Sequence, residues 1–403
     1  MSKFVCKHPW THFEVNNPNG SVMMCCNNSM VLGNVNDQSL EEIWNGDGFR
    51  NVRKRMMDEG ALAICPHTCP VLKGGKKFEN IDWYDELSED GEVRANAELN
   101  EKEFDLGRVT LESWPRWLRF TYSYACNLDC YHCYQREDAT QRMKLPDSFM
   151  DRIDEYARRA QVVFPFCGEP FFFKPLLEFL QCYNTNRENR FYFITHATIL
   201  TPRLEEVLAR MPVSGISASL DAGTPESFEA LRLRGRRGSW DEVMTNLGKL
   251  AKLRRAKDFP MTLSMTLNSV NATEIEIFVD LALELDAEPL VMLVTNPYQT
   301  KEFHEKFLIF TEPQMDEMDA QIGRALKKVR AVGYEDAEVH LKQLRQALRY
   351  HRANDNSVSR FRLTQAARKA FHALPEQLQV PVRTAVNKVR ARRMDSYDEA
   401  SDS

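Results

Sequence analysis

The chain has 403 residues, a net charge of −5, 28% charged and 43% hydrophobic residues. That length supports one large domain with satellites or two to three domains, and the balanced charge excludes a chain built mainly to bind nucleic acid or to stay disordered. No apolar run approaches the roughly 18 residues of a membrane helix, and the N-terminal segment lacks the apolar core and small-residue cleavage site of a secretory signal, so a cytoplasmic protein is expected.

Residues 1–82 are rich in Asn, Gly and Met and carry cysteines at 6, 25, 26, 65 and 69. Cys126, Cys130 and Cys133 follow on one short stretch, and only Cys167 and Cys182 stand apart. In a reducing compartment disulfides explain such a set poorly, and metal ligation explains it better. Residues 83–115 open with many carboxylates and no convincing apolar period, and read as an acidic linker or wrapping arm.

From Trp117 the pattern changes. Six short β-rich runs, at 117–123, 161–166, 190–195, 215–221, 261–267 and 289–295, alternate with longer amphipathic stretches. Start signals such as Pro146-Asp147 and Thr201-Pro202 precede several of those stretches. Six strand–helix alternations predict an α/β fold over 116–300, with a parallel sheet and helices on its outer face. Right-handed crossovers curl such a sheet into a barrel or part of one. Residues 301–403 read as a helical extension. Its 342–393 segment holds thirteen Lys or Arg against Asp355 and Glu376. A solvated helix face is the favoured reading and a dock for an anionic partner the alternative. The last nine residues, DSYDEASDS, read as a disordered tail.

The sharpest signal is Cys126-Asn-Leu-Asp-Cys130-Tyr-His-Cys133, directly after the first strand of the barrel-like region. Three thiolates at this spacing can face a common centre. A four-iron cluster takes four thiolates, so three leave one iron open for a small chelating molecule. At this cysteine content a chain of this length expects only about 0.006 such triplets by chance. A zinc knuckle is the bland alternative, and it wants a fourth ligand that His132, next to Cys133, supplies only with awkward geometry.

These residues resemble the radical SAM superfamily, marked by Cys-x3-Cys-x2-Cys after the first strand of a partial (β/α)6 barrel. The resemblance covers roughly residues 116–296 and extends past the triplet. Phe166-Cys167-Gly168-Glu169-Pro170 is similar to the family's Gly-Gly-Glu-Pro motif, which contacts the amino group of S-adenosylmethionine (SAM). Thr195-His196-Ala197 stands where the family often has Thr-Asn-Gly. Ser217-Ala-Ser219-Leu-Asp221, with Leu231-Arg232, is similar to the fourth-strand segment. Gly238 to Asn246 resembles the helix start that follows. By that resemblance the SAM contacts are expected at His132, Gly168, Glu169, Pro170, Thr195, Ser219, Asp221 and Arg232. His132 would pack on the adenine, and Ser219 and Arg232 would hold the carboxylate or ribose. The chain departs from the family in placing a side chain, Cys167, at the first glycine of its motif, and His196-Ala197 where Asn-Gly is usual.

The N-terminal residues form Cys6-x13-Gly20-x4-Cys25, then Leu32-Gly33-Asn34-Val35, Ser39 to Trp44, Phe49, Arg53 and Cys65-x3-Cys69. They resemble the SPASM and twitch modules of the same enzymes, here ahead of the barrel. The resemblance implies one auxiliary 4Fe–4S cluster on Cys6, Cys25, Cys65 and Cys69. Cys26 is the competing ligand to Cys25, and a four-thiolate zinc site the competing chemistry.

What the family implies is one-electron cleavage of SAM at the first 4Fe–4S cluster and hydrogen abstraction from a substrate by a 5′-deoxyadenosyl radical. The expected substrate is a peptide, protein or natural-product precursor, with a carbohydrate or small metabolite as the alternative. A flavodoxin- or ferredoxin-like reductant is the expected partner, with no membrane and no nucleic acid. No acid or base can be named. A non-catalytic iron–sulfur carrier or redox sensor remains open; it would keep the cysteines without needing Gly168-Glu169-Pro170, Ser219 and Arg232. A zinc-stabilised module that engages an anionic polymer is a third possibility.

Overall fold

The computed structural model describes residues 4–66, 69, 72, 91–136, 142–183, 188–233, 238–294 and 300–353. One sheet of nine strands runs through it in the order β3-β2-β1-β4-β5-β6-β7-β8-β9. The six expected strands are β4 (Trp117–Thr121), β5 (Val162–Phe166), β6 (Arg190–Thr195), β7 (Val213–Ser219), β8 (Met261–Leu267) and β9 (Glu288–Leu293). All pair in parallel, each with the next, as expected of strands separated by helical crossovers. Leu118, Phe120, Val163, Phe193, Ile216 and Leu263 bury into one core with the crossover helices. Trp117 and Arg119 alternate with them and face the other side, where Trp117 meets Phe164 and Tyr192 and Arg119 meets Phe166. The sheet is therefore a partial barrel with an aromatic inner face.

Three strands have no counterpart in the sequence reading: β1 (His12–Val15), β2 (Ser21–Met23) and β3 (Gly33–Asn34). β1 lies parallel to β4, with His12 opposite Trp117 and Val15 opposite Phe120. The cysteine-bearing module is thus sewn onto the barrel sheet. Its short strands sit among Asn, Gly and Ser, which mask their period. Gly20 closes the β1–β2 turn with φ +84, and a Cβ there would stand 2.4 Å from Asn34 Oδ1, so only glycine fits.

The acidic stretch expected as a linker holds a helix over Glu92–Asp105 in its described part; residues 83–90 lie outside the described residues. Its buried face is largely polar, which hid it from a reading by apolar period. Asn100 donates to Trp10 O at 2.7 Å and to Ser113 Oγ at 2.9 Å. Glu103 accepts from the main-chain N–H groups of Glu112 and Ser113. Beside it Arg53, fully buried, donates to Pro9 O and Val109 O and stacks on Trp44.

After β9 come helices Lys301–Phe307, Glu312–Val332 and Glu335–Ala353. The last two pack against each other and the second of them against β9. Lys342, Arg345 and Arg352 are held in ion pairs with Glu338, Asp319 and Glu312, so this part of the basic segment is a paired helix surface. Residues 354–403, with the rest of the basic segment and the tail, lie outside the described residues.

Candidate functional site

The ligand loop leaves β4 at its C-terminal end, where barrel enzymes carry their chemistry. Ser123 Oγ accepts from Ala125 N at 3.1 Å and turns the chain into Cys126. Cys126, Cys130 and Cys133 are all half-buried on this loop, and the thiol of Cys126 accepts from Leu128 N at 3.4 Å. Burial pushes the Cys126 thiol up to about 12 and that of Cys130 up to about 11. A bound metal cation reverses that cost, because thiolate ligands ionise on coordination.

The motif after β5 is hydrogen-bonded to this loop. Gly168 N donates to Ser123 O at 3.0 Å and Glu169 N to Ala125 O at 2.9 Å. A Cβ at Gly168 would lie 2.4 Å from Tyr124 O and 2.5 Å from Ala125 O, so a side chain there would push the ligand loop away. Cys167, at the preceding position, turns its side chain into the hydrophobic core. Pro170 begins a short 3-10 turn behind the motif. The Glu169 carboxylate is fully buried and accepts from Thr195 Oγ1 at 2.8 Å, His196 N at 2.9 Å and Phe171 N at 3.2 Å. Burial still outweighs these donors and pushes its carboxyl up to about 7.

The segment after β6 closes the next side. Thr198 N–H donates to His196 Nδ1 at 3.2 Å, with Thr198 Oγ1 at 3.0 Å from the same nitrogen, and burial holds the ring well below the usual imidazole range. A neutral ring accepting at Nδ1 carries its proton on Nε2, which faces Glu169 Oε2 at 3.2 Å, off the angle of a hydrogen bond. Asn127 of the ligand loop donates to Thr198 Oγ1 at 3.0 Å. Ala197 adopts φ +57, a conformation that suits the glycine usual in the family.

The fourth-strand residues gather around Asp221. Its Oδ2 meets Arg232 Nη1 and, at 3.0 Å, His132 Nε2; its Oδ1 accepts from Thr266 N at 2.7 Å. Burial alone would raise this carboxyl, but His132 and Arg232 hold it well below the usual range. Burial opposes the charge on Arg232 as well, while Cys130 and Asp221 lift its pKa above the ordinary guanidinium value. Arg232 sits on a π-helical turn, Glu229–Leu233, whose Leu231 O accepts from Tyr131 N in the ligand loop; such turns recur at functional sites. Ser219 stands at the end of β7, with Ser264 Oγ 3.4 Å away.

In the N-terminal module Cys6, Cys25 and Cys69 are buried, Cys65 is half-buried and Cys26 is exposed. Cys25 lies near Cys6, and Cys65 near Cys69, close enough that Cys6 adds to the burial that opposes ionisation of Cys25, and Cys69 to that of Cys65. Asn28 Nδ2 ties the Cys25 turn to Ile64 O at 3.3 Å. Among the described residues no three Cys, His, Asp or Glu side chains converge on a point the size of a single ion; a four-iron cluster is wider than one ion and takes its thiolates further apart.

The ligand loop and its neighbours fit a cluster and SAM on this structure's own observations. The thiol set is soft, and Gly168 cradles the loop. Four buried polar atoms around it, Asn127 Oδ1, His132 Nδ1, His196 Nε2 and Arg232 Nε, have no hydrogen-bond partner among the described residues, a cost of about 1–3 kcal/mol each unless something bound there meets them. The sequence reading missed Glu14 on β1 and Arg119 on β4. They pair at 3.2 Å, and only the register of two strands distant in sequence reveals it.

Residues 120–282 match the radical SAM superfamily, and residues 6–70 match SPASM, an iron–sulfur cluster-binding domain. The chain is 27% identical over 183 residues to an AdoMet-dependent heme synthase of Methanosarcina barkeri (strain Fusaro / DSM 804), covering 44% of this chain and 50% of that protein. It thus spans about half the length of that curated relative. Among solved structures it is similar to Streptococcus suis SuiB bound to precursor peptide SuiA, with 15% identity, TM-score 0.38, and 73% of this chain and 64% of that one covered. It is also similar to native anSMEcpe with bound AdoMet, with 16% identity, TM-score 0.40, and 53% and 61% covered.

Proposed function

The chain is a radical SAM protein with a SPASM iron–sulfur domain ahead of its barrel, and from that premise we propose that it cleaves SAM reductively and abstracts a hydrogen atom from a peptide or protein substrate. When bound, the cluster and SAM supply one-electron cleavage of a carbon–sulfur bond and the hydrogen abstraction that follows. The chain's own residues bind, orient and shield. Cys126, Cys130 and Cys133 would hold the first cluster. Glu169 would accept the cationic amino group of SAM, whose charge would offset the cost of burying the carboxylate. Arg232, neutralised in part by Asp221, would hold the SAM carboxylate or ribose. His132 holds its ring against Asp221 through Nε2 at the edge of the same space. Cys6, Cys25, Cys65 and Cys69 would hold an auxiliary 4Fe–4S cluster that takes an electron from the substrate or anchors it. A flavodoxin- or ferredoxin-like reductant supplies the first electron, and the compartment is the cytoplasm; no described helix is long and apolar enough to cross a membrane.

The observation that carries this reading is the hydrogen bonding of three separate strand-end motifs to one cysteine loop: Gly168 and Glu169 to Ser123 and Ala125, Thr198 to Asn127, and Leu231 to Tyr131. An electron carrier needs the cysteines alone. A small-metabolite substrate is the second reading, favoured by the resemblance to the heme synthase. Anaerobically purified protein should be brown, and with dithionite and SAM should release 5′-deoxyadenosine. Cys130→Ala should abolish that release; a variant that still cleaves SAM removes the assignment of the loop. Residues 6–70 should add iron beyond the first cluster, so Cys65→Ser should lower the iron content without removing the SAM-perturbed signal in electron paramagnetic resonance.

A further inference from the structure

Strand β4 turns Trp117, Arg119 and Thr121 toward the inner face of the barrel, by alternation with the core residues Leu118 and Phe120. Each of the three carries a buried polar atom without a hydrogen-bond partner among the described residues: Trp117 Nε1, Arg119 Nε and Thr121 Oγ1. Three such atoms in one column on one strand are costly to keep unless a ligand meets them. The column ends beside the motif after β5, because Thr121 is opposite Phe166, next to Cys167-Gly168-Glu169.

Arg119 sets the chemistry of the ligand. Its guanidinium lies 4.8 Å from the Phe166 ring centroid and 5.3 Å from that of Phe164, which fixes its plane. Nη1 meets Glu14 Oε2 at 3.2 Å, and the side chains are only 13% and 5% exposed. Glu14 occupies one end of the guanidinium alone. Nε is buried and takes no part in that pair, and the Nε edge of a guanidinium can receive a carboxylate side-on. Glu14 comes from the SPASM domain and takes the main-chain N–H of Cys26, so this site lies between the two cysteine loops.

We propose that Arg119, with Trp117 and Thr121 beside it, is a positioning site for a carboxylate of the substrate, built jointly by the barrel and the SPASM domain. The carboxylate seats on the Nε edge of Arg119, and the body of the substrate lies along the aromatic inner face of Trp117, Phe166 and Tyr192. The inference rests on the reading of the inner face as the substrate side of a radical SAM enzyme.

The test uses the full-length protein with its clusters, titrated anaerobically in a calorimeter with benzoate, and with benzamide as the uncharged control of the same shape. Benzoate should bind and benzamide should not. Arg119→Met should lower benzoate affinity at least tenfold, and Arg119→Lys should weaken it by less. Glu14→Gln should tighten it, because the competing carboxylate is gone. That variant decides the matter if Arg119→Met fails to fold, as judged by circular dichroism and iron content. Equal binding of benzoate and benzamide, unchanged affinity in a folded Arg119→Met, or weaker binding in Glu14→Gln would overturn the proposal. SAM cleavage by the unaltered protein is measured on the same preparation. Its absence with benzoate binding intact counts against the enzyme reading alone, and its presence without benzoate binding counts against this site alone.

Discussion

Glu169 is a carboxylate surrounded by donors, yet burial pushes its carboxyl from the ordinary 4.5 up to about 7. The folded chain therefore holds this proton more tightly than the unfolded chain does. The contribution to stability is fully present below about pH 4.5 and is lost as pH rises through about 7. In the metal-free chain this group should cost about 2 kcal/mol of stability between pH 5 and pH 8. Glu169→Gln, which cannot ionise, should flatten that part of the profile, measured by urea unfolding at both pH values. SAM affinity of the cluster-loaded protein should rise over the same interval, since the carboxylate is the form that accepts an ammonium. If the substituted and natural chains lose stability in parallel, Glu169 does not titrate there. The three cysteines were legible through their spacing, and Glu169 was legible through the resemblance of its motif to the family's Gly-Gly-Glu-Pro. The role of Asp221 as the residue that joins His132 to Arg232 was not, since it depends on a backbone turn at φ +59. Glu14 and Arg119 were illegible for a stronger reason: their meeting is a property of strand register.

At the scale of elements, the six barrel strands announced themselves through β-branched and aromatic runs, and the structure sets them within two residues of the expected bounds. Helix Glu92–Asp105 did not, because its buried face is held by amide and carboxylate hydrogen bonds. The same logic governs Arg53 on helix Asp47–Glu59, which is fully buried and bridges Pro9 O and Val109 O. Burial pulls its guanidinium down to about 9, with Glu103 opposing. Truncation to Ala would strand two buried carbonyls and open a cavity under Trp44. The expected loss is about 3 kcal/mol or more, read as a lower thermal midpoint with reduced iron on the module. Arg53→Lys should recover only part of it, because a point charge cannot reach both carbonyls in the plane of the guanidinium. A midpoint unchanged in Arg53→Ala would mean that the helix is held by its apolar face alone.

At the scale of the whole molecule, the module and the barrel share one sheet. β1 covers the free edge of β4 over four of its five residues, from His12 opposite Trp117 to Val15 opposite Phe120. An uncovered β4 would present a row of unpaired main-chain groups beside aromatic side chains, which is a template for aggregation. Helix Glu92–Asp105 would lose Trp10 and Lys7, its partners through Asn100 and Glu101. A chain beginning at residue 91 should therefore be poorly soluble and unable to hold the first cluster, although Cys126, Cys130 and Cys133, its proposed ligands, are retained. Size-exclusion chromatography and iron analysis of this fragment check the expectation. A monodisperse fragment with one full cluster would show that the SPASM domain is an appendage and that β4 tolerates an open edge. The opposite result follows from the strand order: a domain added at the end of a barrel can be removed, whereas one that supplies the neighbouring strand and the Glu14 partner of Arg119 is part of the barrel wall.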